Sequence, residues 1–337
     1  MDRRECRYCK VTQTSVDQHG RRIDYLRISV TDKCNFRCIY CMPAEGLQWL
    51  SRSEILSYEE IAAIVGQLAL EGVTRLRITG GEPTIRPNLE RLIEMLREVS
   101  SIQDIALSTN GVRLPELARK YREAGLDRVN MSADSLKAER ITAIARRDMG
   151  FDPIRSATAA ERAGLAPVKI NVVVMRGIND DEIEDFARLT LDHPWHVRFI
   201  ELMPVGSMAG LTWEHVVPSS EVLDRASNVA PMSAAENPVF GNGPAAYFRF
   251  DGAPGSIGVI TPMTHSYCAS CNRVRLTADG RLRTCLFGDH EVDIKTPHRA
   301  GLPVGPVFRD ALRSKPLRHE LLQMRTGGLR ALSQVGG

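Results

Sequence analysis

YLRISVTDKCNFRCIYCMP, residues 25–43, decides the fold class. Its first six residues, YLRISV (25–30), form an apolar strand pattern that runs straight into a loop carrying Cys34, Cys38 and Cys41. Thiols spaced by three and then two residues can converge on one metal centre if the backbone wraps it. Zinc sites commonly take four ligands, often from two close pairs. A [4Fe–4S] cube has four irons, so three cysteines leave one iron open for a small molecule to bind. A zinc ion borrowing a fourth ligand is the alternative.

Working outward, short β-rich runs alternate with amphipathic stretches. Strands are expected at 75–80, 104–110, 128–133, 168–174 and 196–202, and helices at 57–70, 87–99, 114–124, 137–147, 153–163 and 180–190. Several helices end on the expected glycine, as in YREAGL and AERAGL. Counting YLRISV, six strands joined by helical crossovers describe a parallel α/β sheet, curled into a closed or partly closed barrel resembling a TIM barrel. After about residue 205 the rhythm breaks. Residues 227–256 read as loop or hairpin, VRLTADGRLRTCLF (274–287) as two strands about an Asp-Gly turn, and 305–325 as a last helix. The expected organisation is an irregular segment 1–22, a barrel core 23–205, a C-terminal region 206–325, and a tail 326–337 ending in Gly336-Gly337.

The eight cysteines lie at 6, 9, 34, 38, 41, 268, 271 and 285. Such clustering in a long chain points to metal sites in a reducing compartment rather than to a disulfide scaffold. Cys268, Cys271 and Cys285 form a second trio, which suits either a second cluster with an open iron or a structural zinc completed by His265 or His290. Cys6 and Cys9 stand in a polar terminus without a second pair and read as incidental. Forty-four basic and 41 acidic residues nearly balance, so nothing global calls for nucleic acid or a membrane. From Cys268 onward, however, 12 basic residues face 6 acidic ones, which suits an anionic ligand. No long apolar run or signal-peptide pattern is present, and a cytoplasmic location is expected.

The Cys-x3-Cys-x2-Cys loop after the first strand resembles that of the radical S-adenosylmethionine (SAM) superfamily. LRITGGEPTIR, STNG, VKINVVVMRGIND, VRFIELMPVG, ITPMTHSYCASCNRVRLTADGRLRTCLFG and the Gly-Gly end narrow the resemblance to the GTP 3',8-cyclase family of molybdenum cofactor biosynthesis. The resemblance implies an incomplete (β/α)6 barrel, with the C-terminal region closing it and both clusters facing one cavity. It implies a lyase with two [4Fe–4S] clusters and SAM as cofactors. The first cluster would be held by Cys34, Cys38 and Cys41, and the second by Cys268, Cys271 and Cys285. A 5'-deoxyadenosyl radical would take the 3' hydrogen of GTP, and the 3' carbon would then join C8 of guanine.

Residue by residue, the resemblance assigns SAM contacts to Tyr40, Gly80, Gly81, Glu82, Ser108, Ser132 and Arg198, with Asn110 ranked below them. It assigns GTP contacts to Arg27, Arg75, Lys169, Arg273 and Arg275, with Arg77 able to stand in for Arg75. Two adjacent glycines allow close backbone approach, and strand-end serines sit on the rim where barrel sites gather. Arg27 and Lys169 are isolated cations among β-branched neighbours, costly unless their heads find a partner. Arg273 and Arg275 are two apart on a strand and face one way; together with Gly336 and Gly337 they are expected to act in catalysis. A homodimer, an external electron donor and hand-over of product to a cyclic pyranopterin monophosphate synthase are also implied. Thr84-Ile85 and Ala133 depart from the family pattern without removing a ligand. The alternatives are a radical SAM enzyme acting on a peptide, an iron–sulfur electron carrier, and a zinc-stabilised binding protein.

Overall fold

The computed structural model describes residues 15–204, 210–235, 243–319 and 330–336. Cys6, Cys9 and Gly337 lie outside them. Six parallel strands, β1 (Tyr25–Ser29), β2 (Arg75–Thr79), β3 (Asp104–Thr109), β4 (Arg128–Ser132), β5 (Lys169–Val174) and β6 (His196–Glu201), stand side by side in chain order. The crossovers carry α1 (Tyr58–Leu70), α2 (Leu89–Arg97), α3 (Leu114–Glu123), α4 (Ala138–Ala145), α5 (Pro153–Arg162) and α6 (Ile183–Asp192). Strand alternation sorts the side chains. Leu26, Ile28, Leu76, Ile78, Ile105, Leu107, Val129 and Met131 pack with Ile61, Ile64, Val65, Leu92 and Leu96 of the helices in one continuous core. The opposite face is left polar.

The helices begin where local chemistry says they should. Ser57 caps α1: its Oγ accepts from Glu60 N (3.1 Å), and Glu60 Oε2 accepts from Ser57 N (2.7 Å). Ser57→Ala is expected to cost about 1 kcal/mol and to lower the melting temperature by about 2 °C, read by thermal denaturation. Deep in the sheet, Arg128 donates through Nε to Asp104 Oδ1 at 2.9 Å, and both side chains are buried.

The C-terminal region adds α7 (Ser219–Ser227), β7 (Met232–Ala234), β8 (Ala246–Phe250), β9 (Ser256–Ile260), β10 (Arg273–Leu276), β11 (Arg281–Arg283), β12 (Glu291–Asp293), α8 (Lys295–Arg299) and α9 (Gly305–Arg313). It extends the six-stranded sheet at both edges. β9 runs parallel to β6, and β10 runs parallel to β1. The antiparallel partners β8–β7 and β11–β12 lie outside them, giving the order β12-β11-β10-β1-β2-β3-β4-β5-β6-β9-β8-β7. The result is a curled α/β sheet of partial-barrel type whose flanks come from the C-terminal third.

Of two sequence expectations here, the first holds and the second changes. Residues 227–256, expected as loop or hairpin, supply the β7–β8 hairpin leading into the buried strand β9. The helix expected over 305–325 ends at Arg313, and 320–329 lie outside the described residues. Pro316 disfavours helical geometry at the residue before it, and Lys315 is turned inward, 2% exposed.

Candidate active site

The polar face of the sheet borders an open cavity of about 270 Å³. Parallel pairing sets its central feature. Arg27 is the register partner of Arg275 on one side and of Arg77 on the other, so three guanidinium-bearing positions form a row across β10, β1 and β2. Arg273, Arg198 and Tyr25 also line the cavity. The cations raise one another's energy. Burial, then Arg275 and Arg77, hold Arg27 well below the ordinary arginine range. Burial and the neighbouring guanidiniums bring Arg77 and Arg275 each to about 10. Lys169, buried behind Arg198, Arg128 and Arg77, falls to about 6 through burial first and those charges second.

Several polar atoms in this wall have no hydrogen-bond partner among the described residues: Tyr25 Oη, Arg77 Nε, Asn171 Oδ1 and Arg198 Nε. Each such buried group costs about 1–3 kcal/mol when left unmade. The wall is built for a ligand rich in acceptors.

The first cysteine loop leaves the C-terminal end of β1. Cys38 O accepts from Cys41 N (2.9 Å) and Met42 N (3.2 Å), while Arg37 N and Ile39 N donate to Ala145 O and Ile144 O at the end of α4. The three thiols are unpaired and partly buried. Burial, with Glu82 nearby, pushes Cys34 up to about 12, and burial pushes Cys41 up to about 11 against hydrogen bonding with Ser333. Such thiols ionise in neutral solution only with a cation or metal to hold the charge.

The Gly-Gly pair serves this loop directly. Gly81 N donates to Thr31 O (2.7 Å) and Glu82 N to Lys33 O (2.8 Å). A Cβ on Gly81 would stand 2.1 Å from Lys33 O, and one on Gly80 2.5 Å from Thr31 O. The close approach that requires glycine is therefore made by the loop's own backbone. Glu82 is likewise committed: its carboxylate accepts from Thr84 N, Thr84 Oγ1, Thr109 Oγ1 and Asn110 N. Tyr40 donates to Asp134 Oδ2 (2.7 Å), and burial brings Asp134 up to about 6 despite that bond and the one from Val173 N.

The second trio lies at the other end of the same strands. Cys271 is two residues before β10, Cys285 two after β11, and Tyr25 N at the start of β1 donates to Asn272 O (3.3 Å). Burial works against the Cys271 thiolate, but Lys315 and Arg273 outweigh it and bring the thiol down to about 7. Among the described residues no three His, Cys, Asp or Glu side chains gather as they would around a single metal ion. A cube presents its irons at separate corners, so its thiolates stand farther apart than those bound to one zinc. Three free thiols on the loop after β1, and three more on the segments before β10 and after β11, are the donors the chain offers an iron–sulfur centre.

Of the residues expected from sequence, Cys34, Cys38, Cys41, Tyr40, Gly80, Gly81, Glu82, Ser108, Asn110, Ser132, Arg198, Arg27, Arg273 and Arg275 line one cavity. Arg75 does not. It is paired with Asp24 at 3.0 Å, and Arg77 takes the inward place. Lys169 sits behind the lining, 5.8 Å from the Tyr247 ring. Gly336 offers its carbonyl to Arg275, whose Nη1 also donates to Val335 O (3.1 Å), while Leu332 and Ser333 reach the cavity. Tyr25, Asn171 and Asp134 were not anticipated. Alternation with Arg27 was the available signal for Tyr25.

Residues 28–190 match the Radical SAM superfamily model, and residues 195–321 match Molybdenum Cofactor Synthesis C. The fold alone is also shared with Streptococcus suis SuiB bound to S-adenosylmethionine, at 14% identity and a TM-score of 0.62 over 92% of this chain and 74% of that one. Fold and cysteine loop together define a radical SAM protein. A GTP 3',8-cyclase from Moorella thermoacetica is 47% identical over 95% of this chain and 99% of its own length, and one from Pelotomaculum thermopropionicum is 45% identical over the same shares. The chain belongs to the GTP 3',8-cyclase family.

Proposed function

We propose that this protein is a radical SAM lyase that converts GTP to 3',8-cyclo-7,8-dihydroguanosine 5'-triphosphate, the first step of molybdenum cofactor biosynthesis. The observation that carries this is the row Arg275–Arg27–Arg77 lying between the free thiols of Cys34, Cys38 and Cys41 at one end of the strands and those of Cys268, Cys271 and Cys285 at the other.

Cys34, Cys38 and Cys41 would hold one [4Fe–4S] cluster, and Cys268, Cys271 and Cys285 the other. When bound and reduced, the first cluster with SAM supplies a 5'-deoxyadenosyl radical able to take hydrogen from the 3' carbon of GTP. The chain's own work is placement and shielding. Arg27, Arg77, Arg273 and Arg275 offer guanidinium forks to phosphate oxygens, for which their geometry is suited. Arg198, held by Asn130 Oδ1 (2.8 Å), and Ser108 and Ser132 line the cavity and would contact the cofactor. Val173, Ile200, Leu202 and Met203 give the cavity an apolar lining that keeps water from a reactive radical. Gly336 would complete the wall beside Arg275. A homodimer, an external electron donor and hand-over of product to a cyclic pyranopterin monophosphate synthase belong to the same proposal.

The test is anaerobic reconstitution of the full chain, then incubation with GTP, SAM and a low-potential reductant. Equal yields of 5'-deoxyadenosine and a cyclised nucleotide are expected. Deoxyadenosine formed with no GTP-derived product, but with modification of an added peptide, would overturn the substrate assignment.

Binding should also take up a proton. Lys169, near 6 when ligand-free, becomes an ammonium beside a triphosphate, so affinity rises as pH falls toward 6. One proton gives at most about a tenfold change per pH unit. Titration calorimetry in buffers of different ionisation enthalpy should show an uptake that Lys169→Met removes.

A further inference from the structure

Lys315 lies outside the cavity lining and has no part in the chemistry described above. Its ammonium is nevertheless buried at the meeting point of the two C-terminal cysteine loops. Nζ donates to Arg273 O at 2.8 Å, to Thr284 O at 2.5 Å, and lies 3.5 Å from Cys271 Sγ. Arg273 follows Cys271 by two residues, and Thr284 immediately precedes Cys285, so one side chain ties both ligand-bearing segments together. The third is fastened from the other side. Arg21 donates through Nη1 to Cys268 O (2.8 Å) and through Nη2 to Pro316 O (2.8 Å), with its Nε on Asp17 Oδ2 (2.6 Å). The two cations thus link all three cysteine positions to the single segment 315–316.

A buried lysine with two carbonyls and a sulfur as its neighbours, and no carboxylate among its hydrogen-bond partners in the described residues, is costly unless negative charge stands close by. A thiolate-ligated cluster supplies that charge. Groups that hydrogen-bond the ligand atoms of a metal site fix their orientation and tune the metal's electronics. A positive charge beside a cluster favours the reduced, more negative state.

We propose that Lys315 is the positioning residue of the C-terminal iron–sulfur cluster, setting its cysteine geometry and raising its reduction potential. This rests on the reading that Cys268, Cys271 and Cys285 bind a cluster, and the experiment separates the two. The full-length chain with Cys34, Cys38 and Cys41 replaced by alanine carries only the C-terminal site. It is reconstituted anaerobically with iron and sulfide, alone and with Lys315→Met, Lys315→Gln or Lys315→Arg added. Iron is counted, and the cluster is titrated electrochemically with an electron paramagnetic resonance readout.

The background chain without a Lys315 change should bind about four irons per chain; if it binds none, the cluster reading itself fails. Lys315→Gln keeps hydrogen-bond donors and drops the charge, and should move the midpoint negative. A tenfold loss of reduced cluster at fixed potential corresponds to about 59 mV for one electron. Lys315→Arg should restore most of the shift, and Lys315→Met should lose iron faster to a chelator than either. Wild-type midpoints in both the Gln and Met variants, with unchanged iron retention, would overturn the proposal. Where the Met variant fails to load, the Gln midpoint decides.

Discussion

Cys38→Ala is expected to abolish 5'-deoxyadenosine formation to below detection, measured by anaerobic chromatography of quenched reactions. Cys38 is the middle thiol of the first loop, and its carbonyl organises the turn that carries Cys41. Removing it would leave an iron–sulfur cluster at this loop with two protein ligands and no replacement nearby. Burial, with Asp134 and the other two thiols nearby, already holds the Cys38 thiol well above its ordinary range. Only a metal compensates such a thiolate, so the site has no intermediate grade of function. Cys271→Ala should behave differently. It leaves the first loop intact, so deoxyadenosine should still form while the cyclised nucleotide is lost. Wild-type yields of both products from Cys38→Ala would remove the basis for placing the radical source at this loop.

Arg77→Met is expected to weaken GTP binding about 100-fold and, at the same time, to raise the melting temperature of the nucleotide-free protein. Both effects have one cause. Arg77 is a buried cation brought to about 10 by desolvation and by Arg128, Arg198 and Arg273, and its Nε has no partner among the described residues. A charged hydrogen bond to phosphate contributes about 1.5–3 kcal/mol when made. The empty site instead carries mutual repulsion and an unmade bond. Methionine keeps much of the stem volume without the charge. Calorimetry with GTP and a thermal scan without it provide the two readouts. Unchanged affinity would place the triphosphate elsewhere; a lowered melting temperature would mean that the guanidinium stabilises the fold rather than straining it.

Much of the architecture was legible in the order of residues. The strands and helices up to residue 202 lie within a few positions of their expected bounds, because each buries a periodic apolar face against a neighbour in the chain. The C-terminal third was harder to read. β9 and β10 pair with β6 and β1, and β10 does so across some 250 residues of sequence, a distance that local periodicity cannot signal. The helix expected to 325 gave way to a segment whose lysine turns inward toward sulfur.

The site divides along the same line. The cysteine spacing pointed to a metal centre and the basic C-terminal surplus to an anionic ligand, whereas the roles of Gly80-Gly81 and the arginines came from the family resemblance alone. The sequence reading favoured Arg75 and kept Arg77, on the same strand face, as its substitute. The strand's first residue meets Asp24, while the third enters the row with Arg27 and Arg275. Sequence could not show that the glycines make room for Thr31–Lys33 rather than for a ligand. Thiol number and spacing are local properties written in the chain. Which cation faces the cavity, and which lysine stands beside a thiolate, is decided only when distant strands fall into register.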